Sequence, residues 1–219
     1  AADALAKVLA NDYSLWTTAS GGYNAYASYF LYNPDDYRAK DKETIFGGVR
    51  TTVWKECGLP IVSGSSTAGT CPTQELVDAY EMANGKPAIT GYSDEQHLKP
   101  IINTESGYDE SKPYENRDPR FYASVGYDRG QFQIESKEIT LHARGGELHG
   151  WISPTTEYQS CTGYFCQKWV RKSSYYDYEK KTKNAIPYSY PYLRLAELYL
   201  SYAEADFEYN GSLSDASLN

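Results

Sequence analysis

The chain has 219 residues, enough for one domain with a sizeable core, and a formal net charge of −8. Leu, Ile, Val and Phe make up only about 17 % of it, a composition that on its own points towards disorder, but 23 Tyr and four Trp offset this. The expected protein is folded around a tyrosine-rich core, and the acidic balance, with no basic run beyond Lys180, Lys181 and Lys183, excludes a nucleic-acid footprint.

No apolar run reaches membrane-spanning length, and no secretory h-region opens the chain. Ala1-Ala-Asp-Ala-Leu5 begins inside a helical pattern without an initiator Met, which favours a trimmed chain over a cytoplasmic one. Ala1 to Ala10 reads as a helix with Leu5, Val8 and Leu9 on one face, ending near Asn11. Tyr26, Tyr29 and Phe30 have helical spacing and are expected to pack in a core, as is Trp16, and Asn33-Pro-Asp-Asp36 is a turn. Glu43-Thr-Ile-Phe46 reads as a short buried strand before Gly47-Gly48.

Thr51 to Thr70 is rich in Gly, Ser and Thr, has no period and carries Trp54, the marks of a long surface loop where binding residues tend to lie. Cys71 to Met82 should be helical, opened by Pro72 and Thr73, with Leu76, Val77 and Tyr80 on its face and Asn84-Gly85 as the stop. In Asn116-Arg-Asp-Pro-Arg-Phe-Tyr-Ala123, Asp118-Pro119 makes a turn, and the two arginines are expected to satisfy carbonyls or carboxylates at a corner rather than a ligand. Phe121 to Tyr127 then reads as a strand before the Asp128-Arg-Gly130 turn. Irregular sequence carrying Trp151 follows, then a strand-like run, Thr162 to Trp169.

Pro191 to Asn210 reads as a helix of about five turns, stopped by Gly211. Arg194, Glu197, Ser201, Glu204 and Glu208 form one narrow polar strip, so the helix should be clamped between neighbours, with Ala196 and Ala203 allowing close approach as in stacked helix-turn-helix repeats. Cys57, Cys71, Cys161 and Cys166 form two sequence-local pairs: disulfides in an exported protein, in one of three connectivities, or free thiols, with no zinc-type spacing.

Several blocks resemble one family. Arg194-Leu-Ala-Glu-Leu-Tyr-Leu-Ser-Tyr-Ala-Glu-Ala205 resembles the "R-x-A-E-x-Y-L-x-x-A-E-A" helix of the SusD/RagB family, surface glycan-binding lipoproteins that work with TonB-dependent transporters. Pro72 to Pro87, the Asn116 to Ala123 run, Glu43 to Phe46 and Thr162-Gly-Tyr164 with Lys168 are similar to further blocks of that family in the same order, from Tyr13 to Gly211. Full-length members also have an N-terminal helical-repeat region, a lipidated cysteine and an "N-x-V-R-x-R-A-G" run after the last helix. By resemblance this chain is the middle to C-terminal part. The implied fold is mostly α (α+β), SusD-like: residues 1–30 helical, 31–190 an irregular loop-rich α+β middle, and 191–219 a helical, TPR-like repeat.

Catalysis finds no support in the sequence. His97, His142 and His149 lack metal-type spacing, no nucleophile elbow or phosphate loop occurs, and a glycosidase carboxylate pair cannot be singled out among 29 acidic residues. Binding needs less: an aromatic face for the C–H face of a sugar ring, with polar groups around it for the hydroxyls. Trp54 and Trp151 suit stacking best, and Arg50, Tyr92, Asn103 and Tyr158 are the polar candidates. No cofactor is expected, calcium through Asp35-Asp36 or Asp94-Glu95 being the weak exception. The resemblance implies non-catalytic capture of an oligosaccharide at the outer membrane's exposed surface and delivery to a SusC-like TonB-dependent partner, the membrane being reached only through a lipid anchor absent from this chain. A helical-repeat scaffold for protein–protein contact is the rival, and a glycoside hydrolase the third reading.

Overall fold

The computed structural model describes residues 2–20, 23–31, 41–51, 71–134, 137–140, 160, 162–168, 175–177, 182–184 and 188–214. The chain divides into two compact units: Ala1–Tyr29, Asn33–Thr51 and Pro187–Asn219 form the first, and Phe30–Tyr32 with Thr52–Ile186 the second. Helix and strand are mixed in the described residues, and each sheet there is a two-stranded antiparallel ribbon. None of their helices is long and apolar enough to cross a membrane.

In the first unit, α1 (Ala2–Leu9) stops where Asn11 turns its side-chain amide back to the Lys7 carbonyl at 2.7 Å and Asp12 takes a left-handed φ of 65°. Helix α2 (Ala25–Leu31), whose last two residues belong to the second unit, is capped by Asn24, whose Oδ1 accepts the Ala27 N–H at 2.8 Å; Tyr29 and Phe30 are buried as their spacing predicted, and Tyr26 is half-buried. Trp16 donates its indole N–H to the Thr18 carbonyl and to Ser28 Oγ, and its ring lies 6.2 Å from that of Tyr29.

Strand β1 (Thr44–Thr51) pairs with a strand of residues 188–194, numbered β10 below, and bulges shift the register between Thr44 and Arg50. These shifts turn Phe46 to solvent, so the strand is not the buried one that Glu43 to Phe46 predicts; Glu43 is the buried member. The last helix, α5 below, is Leu195–Asn210 and starts four residues later than predicted, because Pro191 stands in β10 opposite Gly47, a ladder position where its missing N–H is tolerated. Its end is as predicted: Gly211 has φ 71° and donates its N–H to the Phe207 carbonyl. The expected clamp is absent from the described residues. Only Leu195 of this helix is buried, and Leu200 is 71 % exposed. Beside the thin polar strip, the apolar side chains of Leu200, Phe207 and Tyr209 face solvent.

In the second unit, α3 (Gln74–Ala79) is capped by Thr73, which accepts the Leu76 N–H. It ends before Met82 because residues 81–83 turn aside to pair with 116–118: Ala83 N–H reaches the Asn116 carbonyl at 2.7 Å and Asp118 N–H the Glu81 carbonyl at 2.9 Å. Strands β2 (Ile89–Tyr92) and β3 (Pro100–Ile102) form a hairpin. The stretch predicted to be a strand from Phe121 is instead α4 (Pro119–Ser124), since Asp118 caps it through the Arg120 N–H and Pro119 stands at its first turn. It leads into β4 (Val125–Gly126), which pairs with β7 (Phe165–Cys166). Strands β5 (Gln131–Ile134) and β6 (Lys137–Thr140) pair, as do β8 (Tyr175–Asp177) and β9 (Thr182–Asn184); β10 (Tyr188–Arg194) and α5 (Leu195–Asn210) complete the order.

Among the described residues, Val77, Phe121, Val125 and Tyr164 form a core cluster in this unit, with Tyr80, Tyr114, Tyr122 and Tyr127 packed around it. Phe121 meets Tyr80 edge-on at 5.7 Å and Tyr114 stacked at 6.1 Å, so aromatic contact supplies much of what aliphatic packing would in a richer sequence. Tyr122 donates its hydroxyl to the Tyr114 carbonyl, and Tyr164 donates its own to Gln74 Oε1 at 2.8 Å.

The Asn-Arg-Asp-Pro-Arg motif knits this core. Arg117, only 2 % exposed, donates to the carbonyls of Val77, Tyr80 and Pro113, closing the C-terminal end of α3. Arg120 grips both Asp118 oxygens and lies 3.6 Å from Glu81. Both arginines are structural, as the sequence predicts. The Arg120 guanidinium, assisted by its backbone N–H and opposed by burial, holds the Asp118 carboxyl below the ordinary carboxylate range. A carboxyl with a depressed folded pKa contributes stability that is present above its unfolded pKa and is lost as pH falls through the folded value. Asp118→Asn keeps a good cap but not the charge. The variant's stability is expected to vary less with pH than the parent's below about pH 4, measured by urea unfolding across the acid range. Parallel acid limbs would contradict this.

Candidate functional site

Of the six candidate residues, two have described side chains. Trp54, Trp151 and Tyr158 lie outside the described residues, as does Asp35-Asp36. Arg50 stands in β1 opposite Ser189, with its backbone alone described.

Tyr92 is the last residue of β2 and opens the loop to Pro100. That loop is held from inside by Asp94, whose carboxylate accepts the N–H groups of Leu98 (3.1 Å) and Lys99 (2.8 Å), while Ser93 N–H reaches the Lys99 carbonyl at 2.9 Å. The closure places His97 at φ 57°, an uncommon conformation for a residue with a side chain. Its imidazole lies flat on the Tyr92 ring, centroids 4.3 Å apart and planes within 5°. One face of Tyr92 is therefore taken, and the pair presents a stacked aromatic edge at the surface.

Helix α3 supplies the polar groups. Tyr92 donates its hydroxyl to Asp78 Oδ2 at 2.6 Å, and burial, then this carboxylate, pushes the phenol pKa up. Gln74 Nε2 donates to Asp78 Oδ1, and Gln74 Oε1 accepts from Tyr164, so the surface pair is tied by hydrogen bonds to the tyrosine core. Glu75 Oε1 lies 3.6 Å from His97 Nδ1. Its own backbone N–H and then the Thr73 hydroxyl, with His97 adding to them against a little burial, hold its carboxyl below the usual range. The result is a half-exposed aromatic stack flanked by fixed carboxylates, able to offer an apolar ring edge and hydrogen-bond acceptors to a polyhydroxylated ligand.

Asn103 is placed elsewhere. Its N–H bonds to Ala88 at the open end of the β2–β3 hairpin, about 13 Å along the strand from Tyr92. Its side chain donates to the Pro87 carbonyl and accepts the Glu105 N–H, so both ends are engaged in shaping the turn. Asp94 is likewise engaged in capping its loop, and no group of three or more metal-ligating side chains occurs among the described residues. Sequence reasoning missed His97, Glu75 and Asp78; the one signal was Gln74, Glu75 and Asp78 on the polar side of a helix whose other side carries Val77.

Comparison with known proteins decides the family. The SusD family model matches residues 10–217. The chain belongs to the SusD family. Among solved structures it is similar to a SusD-like protein from Bacteroides fragilis NCTC 9343 (BF3747), at 26 % identity and TM-score 0.65, over 95 % of this chain and 39 % of that one. It also resembles BT4246, at 20 % identity and TM-score 0.65, over 96 % of this chain and 41 % of that one. A SusD-like carbohydrate binding protein from the same B. fragilis strain (BF0978) matches at 20 % identity and TM-score 0.61, over 99 % of this chain and 38 % of that one. The SusD-like fold is thus shown, and the chain spans about two fifths of the length of these structures. No curated protein matches it.

Proposed function

We propose that this SusD-family protein captures an oligosaccharide without cleaving it and passes it to a SusC-like TonB-dependent transporter at the exposed face of the outer membrane, the whole protein being held there by a lipid anchor. The family match across residues 10–217 carries this reading, and the description of the similar BF0978 as carbohydrate binding supports it. Two features of the chain agree with it: the Tyr92–His97 stack flanked by Glu75 and Asp78, and the Trp residues in irregular sequence at positions 54 and 151. In this reading Trp54 and Trp151 stack on sugar rings, with Arg50, Tyr92 and Tyr158 hydrogen bonding and Asn103 holding the hairpin that carries Tyr92. The ends of the chain belong to helical-repeat elements around the loop-rich middle. A protein–protein scaffold is the second reading, favoured by the exposed apolar side chains of α5, among them Leu200, Phe207 and Tyr209.

Calorimetric titration of the whole protein with maltoheptaose, cellohexaose, xylohexaose and mannohexaose, with chromatography of each mixture, separates the readings. Saturable heat with at least one sugar, recovered intact, is expected, and Trp54→Ala, Trp151→Ala or Tyr92→Ala should weaken it about tenfold. Cleaved sugar would overturn the non-catalytic reading. Binding of a peptide or protein with silence towards every glycan would promote the scaffold.

A further inference from the structure

Strand β10 alternates. Pro191 is buried and Leu193 half-buried, while Tyr190 and Tyr192 are 42 % and 62 % exposed. Phe46 of β1, turned out by the bulged register, is also 62 % exposed, and its ring lies 5.8 Å from that of Tyr192 with planes inclined by 33°. Tyr190 stands 5.5 Å from Tyr192 on the other side, inclined by 60°. Three aromatic rings thus form one exposed strip on a two-stranded ribbon.

The strip is seated. A Cβ on Gly48 would stand 2.7 Å from Tyr192 Cε2 and 3.3 Å from its Cζ and hydroxyl oxygen, so the ring lies across the Gly48 backbone and a side chain there would displace it. Its contacts with the Phe46 and Tyr190 rings narrow the orientations open to the Tyr192 ring before any ligand arrives, which lowers the ordering cost of binding.

We infer that Phe46, Tyr190 and Tyr192 form a second sugar-stacking platform, for a neutral oligosaccharide. This inference rests on the capture reading above and adds a site on a different unit of the chain from Tyr92. The rings offer apolar faces to the C–H faces of pyranose rings, and the two phenol groups lie where ring hydroxyls would be met. A protein partner would call for a broader apolar patch in which aliphatic side chains join the aromatic ones, whereas here Pro191 and Leu193 turn to the inner face. The overall charge of −8 disfavours anionic sugars.

The test titrates the whole protein with the four neutral oligosaccharides above. For the sugar that binds, Phe46→Ala with Tyr192→Ala should weaken affinity at least tenfold with an unchanged melting temperature, since both side chains are exposed. Tyr192→Trp should keep affinity within about threefold. Gly48→Ala, at a position without positive φ, should keep the fold, shift the Tyr192 ring and cost about threefold. Ring-proton shifts of Phe46 and Tyr192 on saturation give a direct readout. Unchanged affinity and unmoved ring shifts in a protein that does bind a glycan would overturn the platform and leave the capture reading standing. Silence of the parent towards every glycan would overturn both.

Discussion

Arg117→Met is expected to cost about 4 kcal/mol of folding stability, the largest effect of any change discussed for this protein. The guanidinium donates to Val77 O at 2.6 Å, Tyr80 O at 2.7 Å and Pro113 O at 3.0 Å, and it lies 5.2 Å from the Phe121 ring centre and 5.7 Å from that of Tyr108. Methionine fills much of the volume but donates nothing. Three carbonyls then lose a charged donor where little water enters; Val77 O keeps another partner there, the Tyr80 N–H. The Arg117 N–H accepted by Tyr122 is unaffected, so the loss reports on the side chain. Arg117→Lys keeps the charge but not the planar fork that spans carbonyls from two segments, and about half the loss is expected to return. Urea unfolding followed by circular dichroism measures both. A change below about 1 kcal/mol for Arg117→Met would mean that the core closes the end of α3 without it.

Glu43→Ala should cost about 3 kcal/mol, and lower the melting temperature by about 6–12 °C in a chain of this size. One buried carboxylate joins two distant segments: Oε1 accepts from Arg194 at 2.8 Å, and Oε2 accepts the Trp16 N–H at 2.8 Å. The Glu43 carbonyl meanwhile receives the Leu195 N–H, one of the otherwise orphaned donors at the start of α5. The Arg194 side chain keeps about a quarter of its exposure, which screens part of the pair, so the expected cost sits at the low end for a broken buried ion pair. Glu43→Gln retains an acceptor for the Trp16 N–H and should lose roughly half as much. A thermal melt of the two variants beside the parent decides it. A shift under about 2 °C for Glu43→Ala would show that the ribbon holds α5 without this pair.

Both residues were visible in the sequence as parts of blocks, and neither role could be read there. Local chemistry was legible at several places where a short-range rule governs, though the Asp118–Pro119 start of α4 was read as a turn before a strand. The Thr73 cap and the Gly211 stop depend on contacts within a few residues, and the tyrosine-rich core followed from a composition with few aliphatic groups to bury. The arginine pair was legible as structural because fork-shaped donors beside an Asp-Pro corner suit carbonyls and carboxylates.

Long-range pairing decided the rest. Residues 191–194 join a ribbon instead of opening a helix because β1, some 140 positions away, supplies the hydrogen bonds that a helical turn would otherwise have made internally. Phe46 turns outward because a register shift, which no periodicity encodes, inverts the face on which a side chain emerges. Tyr92 gains its partners in the same way: His97 reaches its ring only once Asp94 has folded the loop, and Asp78 only once α3 packs beside the hairpin. The sequence by itself determined the family, the caps and the aromatic character of the core, since these rest on residue identity and near neighbours. Tertiary structure alone decided which aromatic rings face solvent and which carboxylates stand beside them, since exposure and electrostatics belong to positions in space.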